Sequence, residues 1–147
     1  MVITPAILDE LSAKAMASPR LRMNLDLRNS PDDLSQRMLN ALEPGCPLPI
    51  HRHQKSSETV VCLRGRLVWE FYQEVQGSGF KVDSVELNLQ GVQKTEEIEL
   101  SPNGQTVALN IPAGQWHTVR ALESGSVILE MKNGAYEPLA ENDILAL

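Results

Sequence analysis

The sequence predicts an all-β sandwich or barrel preceded by one short helix, and three observations carry that expectation. Apolar runs of roughly four to eight residues recur along most of the chain, several with period-two alternation. Clusters of Gly, Pro, Asn and Ser separate them. With 147 residues, the chain supports one domain around a single core.

From Pro5 to Met16, Ile7, Leu8, Leu11 and Ala15 recur at helical spacing. Thr4 can cap this helix, Pro5 suits its first turn, and Asp9 and Glu10 lie near the positive end of its dipole. Pro19 stops it, giving a helical extension over 1–19 ahead of a β domain over 20–147. Leu21, Met23, Leu25 and Leu27 then alternate with Arg22, Asn24, Asp26 and Arg28, a strand with one polar face. A loop over 29–33 follows. Further strands are expected at 36–42, around His51, and at 59–63, 67–72, 82–89, 97–100, 106–111, 117–122 and 127–131. Their turns fall at Pro44-Gly45, Gly65, Gly77-Ser78-Gly79, Pro102-Asn103-Gly104, Pro112-Ala113-Gly114, Ser124-Gly125 and Asn133-Gly134. Residues 136–147 show no period.

The chemistry concentrates on the three histidines of the chain, His51, His53 and His117. An i, i+2 pair on a strand places both imidazoles on one side. Glu58, five residues beyond His53, can return on the partner strand of a hairpin, so three imidazoles and one carboxylate can converge. Imidazole with carboxylate is a donor set for a divalent transition metal: iron, manganese, nickel or zinc. Read singly, His51 and His53 could be two surface residues and His117 a core residue; the conjunction with Glu58 and the surrounding glycines favours the metal.

Gly45, five residues, His51, one, His53, four, Glu58, six, Gly65 resembles the first cupin motif at every defined position, and Pro112-x-Gly114-x-x-His117 resembles the core of the second. Thr106 stands where that second motif has a Gly, and Ala121 where it has an Asn. The resemblance spans roughly 20–131 and implies a cupin double-stranded jelly-roll β-barrel with His51, His53, Glu58 and His117 on one metal. Outside the motifs, Leu8-Asp9-Glu10-Leu11, Ala17-Ser18-Pro19-Arg20-Leu21-Arg22 and the run from Gln36 to Gly45 are similar to WbuC-type cupin metalloproteins. That narrower resemblance implies a small cupin often encoded among surface polysaccharide (O-antigen) genes, with no settled activity.

Two other metal-binding architectures are excluded. A large α/β-barrel hydrolase needs about 250 residues, and a zinc deaminase needs a Pro-Cys-x-x-Cys step that the two cysteines, Cys46 and Cys62, do not form. Both read as free buried thiols. The net charge of -6 splits unevenly: nine Lys/Arg against seven Asp/Glu up to Arg66, then four against twelve. Neither part has the basic stripe that nucleic acid requires. Arg22, Asn24, Arg28, Arg37 and Asn40 are candidates to line a pocket for a small anionic or sugar-like ligand, the alternative being solvated surface arginines. Arg52 and Trp116 flank the histidines and should face away from the metal; Trp116 suits packing or a homodimer contact. With no apolar run long enough for a membrane span and no secretory leader pattern, a cytoplasmic protein is expected. Two activities remain open: a metal-dependent isomerase, epimerase or dioxygenase, and a noncatalytic module that binds or senses a small polar molecule.

Overall fold

The computed structural model describes residues 1–75 and 91–145. Among the described residues, helix α1 (Pro5–Ala17) precedes ten strands: β1 (Arg22–Asp26), β2 (Ser35–Leu42), β3 (Ile50–His51), β4 (Glu58–Arg64), β5 (Leu67–Glu74), β6 (Val92–Leu100), β7 (Ala108–Ile111), β8 (Trp116–Ala121), β9 (Ser126–Asn133) and β10 (Ile144–Leu145). They form two five-stranded antiparallel sheets, β1-β2-β9-β4-β7 and β10-β3-β8-β5-β6. This is the double-sheet jelly roll. The strand expected at 82–89 and the turn at Gly77-Ser78-Gly79 lie outside the described residues.

Alternation decides which residues meet. On the first sheet, Leu39, Ala41 and Val127 face outward, and Leu11 and Ala15 of α1 pack onto them with Met23 and Leu25 of β1. The opposite parity, with Leu42, Val60, Cys62 and Ile128, faces inward and meets Leu67, Trp69, Leu100 and Ala121 of the second sheet. Trp69 is 1% exposed and Leu67 fully buried, so these side chains form the apolar core between the sheets.

Local details depart from the sequence expectations. Thr4 occupies the helix N-cap without a side-chain hydrogen bond, and no acidic residue lies in the first turn. Asp9 instead pairs with Arg64 (2.6 Å) and Glu10 with Lys14 (2.6 Å), so these carboxylates are spent on cations rather than on the dipole. Leu21 adopts φ 53°, outside extended geometry, and β1 runs only from Arg22 to Asp26. The C-terminal segment has a 3-10 turn (Glu141–Asp143) and adds β10 to the edge of β3. Elements this short show no period. A long-range ion pair, Arg52 Nε to Asp143 Oδ1 at 2.8 Å, fastens the segment.

The outer face of the second sheet carries a buried carboxylate, Glu70, which accepts hydrogen bonds from Tyr72 Oη (2.7 Å) and Arg120 Nε (2.8 Å). Burial raises its pKa, but the Arg120 and Tyr72 bonds and nearby Lys94 outweigh burial and hold it below its ordinary value of 4.5. A depressed folded-state pKa contributes stability above the unfolded value that is lost as pH falls through the folded one. Glu70→Gln is therefore expected to cost about 1 kcal/mol at pH 7, with the gap to the parent closing in acid. Urea unfolding of both proteins at pH 7 and pH 3 measures this; an equal gap at both pH values would remove the charge from the account.

Candidate metal centre and adjoining cavity

Both sheets contribute to one polar patch in the interior, beside that core. On the second sheet, His51 of β3 stands opposite His117 of β8, which stands opposite Phe71 of β5. His53 lies two residues past His51, beyond the end of the short strand. Gly114 holds it there: its N–H donates to the His53 carbonyl at 2.8 Å, from a turn in which Gly114 takes φ 83°, a conformation glycine adopts without a Cβ penalty. The second sequence motif thus props up the first as well as supplying His117.

One ring nitrogen from each of His51, His53 and His117 lies within 4.8 Å of the other two. Glu58 is not on a hairpin partner of the histidine strand, as the spacing had suggested. It opens β4 on the opposite sheet, paired with Lys132 and Ile111, and reaches across the interior. Its Oε2 lies 3.2 Å from His53 Nε2 and its Oε1 3.3 Å from His117 Nε2. Those separations suit adjacent ligands of one ion, whose bonds run about 2.0–2.2 Å.

Two further observations test whether these residues fit a metal. His53 Nε2 and Glu58 Oε2 are buried without a hydrogen-bond partner despite their proximity, an arrangement that costs free energy unless something else satisfies both. His51 Nδ1 lies 3.1 Å from the Pro49 carbonyl and His117 Nδ1 2.9 Å from the Gln115 carbonyl. A carbonyl only accepts, so the proton sits on Nδ1 in both rings and leaves each Nε2 lone pair free to ligate. Burial and the neighbouring His117 push His51 down to about 4, which keeps that ring neutral. Burial alone would raise the Glu58 carboxyl; the two imidazoles and the Lys132 ammonium prevail and hold it well below the usual carboxylate range. An ionised Glu58 beside the ring nitrogens of His51, His53 and His117 brings four donor groups of the kind a transition metal takes into one place.

The inward face of the first sheet adds groups that the sequence reading did not single out. Lys132 Nζ lies 3.5 Å from Glu58 Oε2 and also contacts Glu130 Oε1, while Glu130 Oε2 accepts from Asn40 Nδ2 at 2.8 Å. Burial pulls the lysine pKa down, yet Glu130 and Glu58 outweigh it and hold the ammonium above its ordinary value. Glu130 and Lys132 share strand parity with the core residue Ile128, and a charged i, i+2 pair on an inward face was the available signal.

A cavity of about 230 Å³ adjoins His51, Glu58 and His117. Of the residues expected to line a pocket, Arg22, Asn24 and Asn40 do so. Arg28 and Arg37 do not. Arg28 turns back onto Asp26 (2.8 Å) and Arg37 onto Asp33 (3.0 Å), because β1 ends at Asp26 and Arg37 has outward parity on β2. Arg52 and Trp116 face away from the histidines, with the guanidinium 4.4 Å from the indole centroid and Trp116 Nε1 donating to Glu74 at 3.1 Å.

Known structures share this architecture at low sequence identity. KdgF from Halomonas sp. aligns with a TM-score of 0.54 and 18% identity over 81% of this chain and 84% of its own. The capsular polysaccharide assembling protein CapF from Staphylococcus aureus aligns at 0.55 and 21% over 86% of this chain, and a recombinant oxalate oxidase in complex with glycolate at 0.56 and 13% over 84%. This chain spans 32% of that CapF chain and 55% of that oxalate oxidase. No curated protein matches the sequence. The family described as a domain of unknown function, DUF6016, matches residues 3–82, more than half of the chain, and the protein belongs to that family, on a cupin jelly roll.

Proposed function

We propose that this protein is a WbuC-type cupin metalloprotein that holds one divalent transition metal through His51, His53, Glu58 and His117 and uses it on a small acidic or sugar-like molecule. The observation that carries this reading is the convergence of His51, His53, His117 and Glu58 from both sheets, with His53 Nε2 and Glu58 Oε2 buried and without a hydrogen-bond partner. The barrel has an apolar core of its own, built around Leu67, Trp69 and Leu100. When bound, the metal supplies a Lewis acid for a carbonyl or hydroxyl oxygen. Iron would add dioxygen chemistry. The cavity adjoins His51, Glu58 and His117, so a small molecule seated in it would lie beside an ion those residues held. The chain's own groups there orient a ligand: Asn40 and Glu130 hydrogen-bond to each other along one wall, and Lys132 compensates the two carboxylates.

The likeness to CapF, described as a capsular polysaccharide assembling protein, supports a place in surface polysaccharide synthesis, and glycolate in the oxalate oxidase gives a small hydroxy acid in a similar barrel. Elemental analysis of protein purified without added metal is expected to find about one transition metal per chain, and chelated protein should rebind one of manganese, iron, nickel or zinc. Metal-free protein that rebinds none of the four would overturn the reading. Turnover of sugar nucleotides and organic acids by the loaded protein separates an enzyme from a binding module.

A further inference from the structure

Six of the eight arginines are committed to acidic partners: Arg28 to Asp26, Arg37 to Asp33, Arg52 to Asp143 and Glu74, Arg64 to Asp9, Arg66 to Glu99 and Glu123, and Arg120 to Glu70. The remaining two, Arg20 and Arg22, form no ion pair among the described residues, and both line the cavity beside His51. Arg22 and His51 also border a second, more open cavity of about 800 Å³ beneath the C-terminal segment, so both stand where the two spaces meet. Between the two arginines, Leu21 is the one non-glycine residue with positive φ among those described. Such a conformation costs roughly 1–2 kcal/mol and persists where surrounding structure enforces it.

We infer that Arg22, assisted by Arg20, anchors the carboxylate of a small polyhydroxylated acid whose other end reaches the metal centre. The inference rests on the metal reading for that far end and on the arginines alone for the near one. A guanidinium fork matches a carboxylate with two parallel N–H···O bonds. The walls combine the amides of Asn24 and Asn40, which suit hydroxyl groups, with apolar Trp69, Val119 and Ile128, which suit the C–H face of a sugar ring. At about 230 Å³ the cavity falls below the roughly 300–1,000 Å³ of sites for drug-sized ligands, which sets the size near that of a single sugar acid. Glu130 does not compete for the arginines, because its oxygens are taken by Lys132 and Asn40.

Glucuronate and glucose differ only in a carboxylate, and glucose 6-phosphate places a phosphate on the same carbon; the three are the probes. Calorimetric titration of the metal-loaded protein is expected to show glucuronate binding at least about 10-fold more tightly than glucose. Arg22→Gln should abolish that preference with metal content unchanged, Arg20→Gln should reduce it, and Arg28→Gln should leave it as in the parent. Preference for glucose 6-phosphate over glucuronate would replace the carboxylate with a phosphate and overturn the assignment. Equal binding of glucuronate and glucose, no glucuronate binding at millimolar concentration, or an unaltered preference in Arg22→Gln would also overturn it. An arginine-dependent preference that persists in chelated protein would uphold the anchor while removing the metal from ligand recognition, which keeps the two readings separable.

Discussion

His53→Ala is expected to strip the protein of metal while leaving it folded. The side chain supplies a buried, unpartnered Nε2 directed at Glu58, and it stands outside regular strand structure, so no backbone ladder depends on it. Loss of groups that merely orient a ligand typically costs 10–100-fold in metal affinity, and loss of a ligand itself should cost more than about 100-fold. The fold has independent support in the apolar cluster built around Leu67, Trp69, Leu100, Ile111 and Ile128, none more than 2% exposed. Cooperative thermal unfolding should therefore survive in the variant, within about 1–2 kcal/mol of the metal-free parent. The measurements are metal content after dialysis and circular dichroism against temperature. A variant that stays fully loaded would exclude His53 as a ligand, and one that is unfolded where the metal-free parent is folded would make the residue structural.

The strands were legible because alternation survives in them: the run Met23, Leu25, Leu27 does pack beneath α1, and the motif glycines do sit at turns. The position of Glu58 was not legible. Parity states whether a residue faces the interior, but the inner faces of two opposed sheets look into the same space, so an inward Glu58 fits a hairpin partner and a facing sheet equally. Only pairing of β4 with β7 and β9 distinguishes them. The arginines show a different limit. Arg22 and Arg28 share a parity, yet the strand stops between them, and Asp26 two residues away captures Arg28 through both its backbone N–H and its guanidinium. Acids at such short range, Asp33 four residues before Arg37 included, were visible in the sequence and mark an arginine as locally satisfied. Lys132 and Glu130 were missed because the strand expected at 127–131 stopped one residue short of the lysine, hiding the i, i+2 pairing that carries both side chains inward.

Gly65→Ala is expected to be the most damaging single methyl addition in the barrel. The residue forms the corner at which the chain leaves β4 of one sheet for β5 of the other, and it does so at φ 78°. That conformation alone costs an alanine roughly 1–2 kcal/mol. A Cβ at this position would also fall 2.3 Å from Ser126 Oγ and 2.7 Å from Ser126 Cα. Neither atom is free to retreat. Ser126 is fully buried, its Oγ accepts from Arg66 N (3.1 Å) and donates to the Glu123 carbonyl (2.7 Å), and its backbone belongs to β9, which pairs with both β2 and β4. The combined cost should be about 3 kcal/mol or more, a fall of roughly 6–12 °C in Tm at about 2–4 °C per kcal/mol for a domain of this size. Gly125→Ala isolates the conformational part, because Gly125 has φ 77° and nothing within 4 Å of the place its methyl group would take; it should cost only the same roughly 1–2 kcal/mol. Pairing Gly65→Ala with Ser126→Gly should recover part of the loss and no more, since removing the hydroxymethyl group leaves the clash with the backbone of residue 126 in place. Equal melting temperatures for Gly65→Ala and Gly125→Ala would show that the corner yields around the methyl group, and that the glycine of the first motif is set by backbone conformation alone.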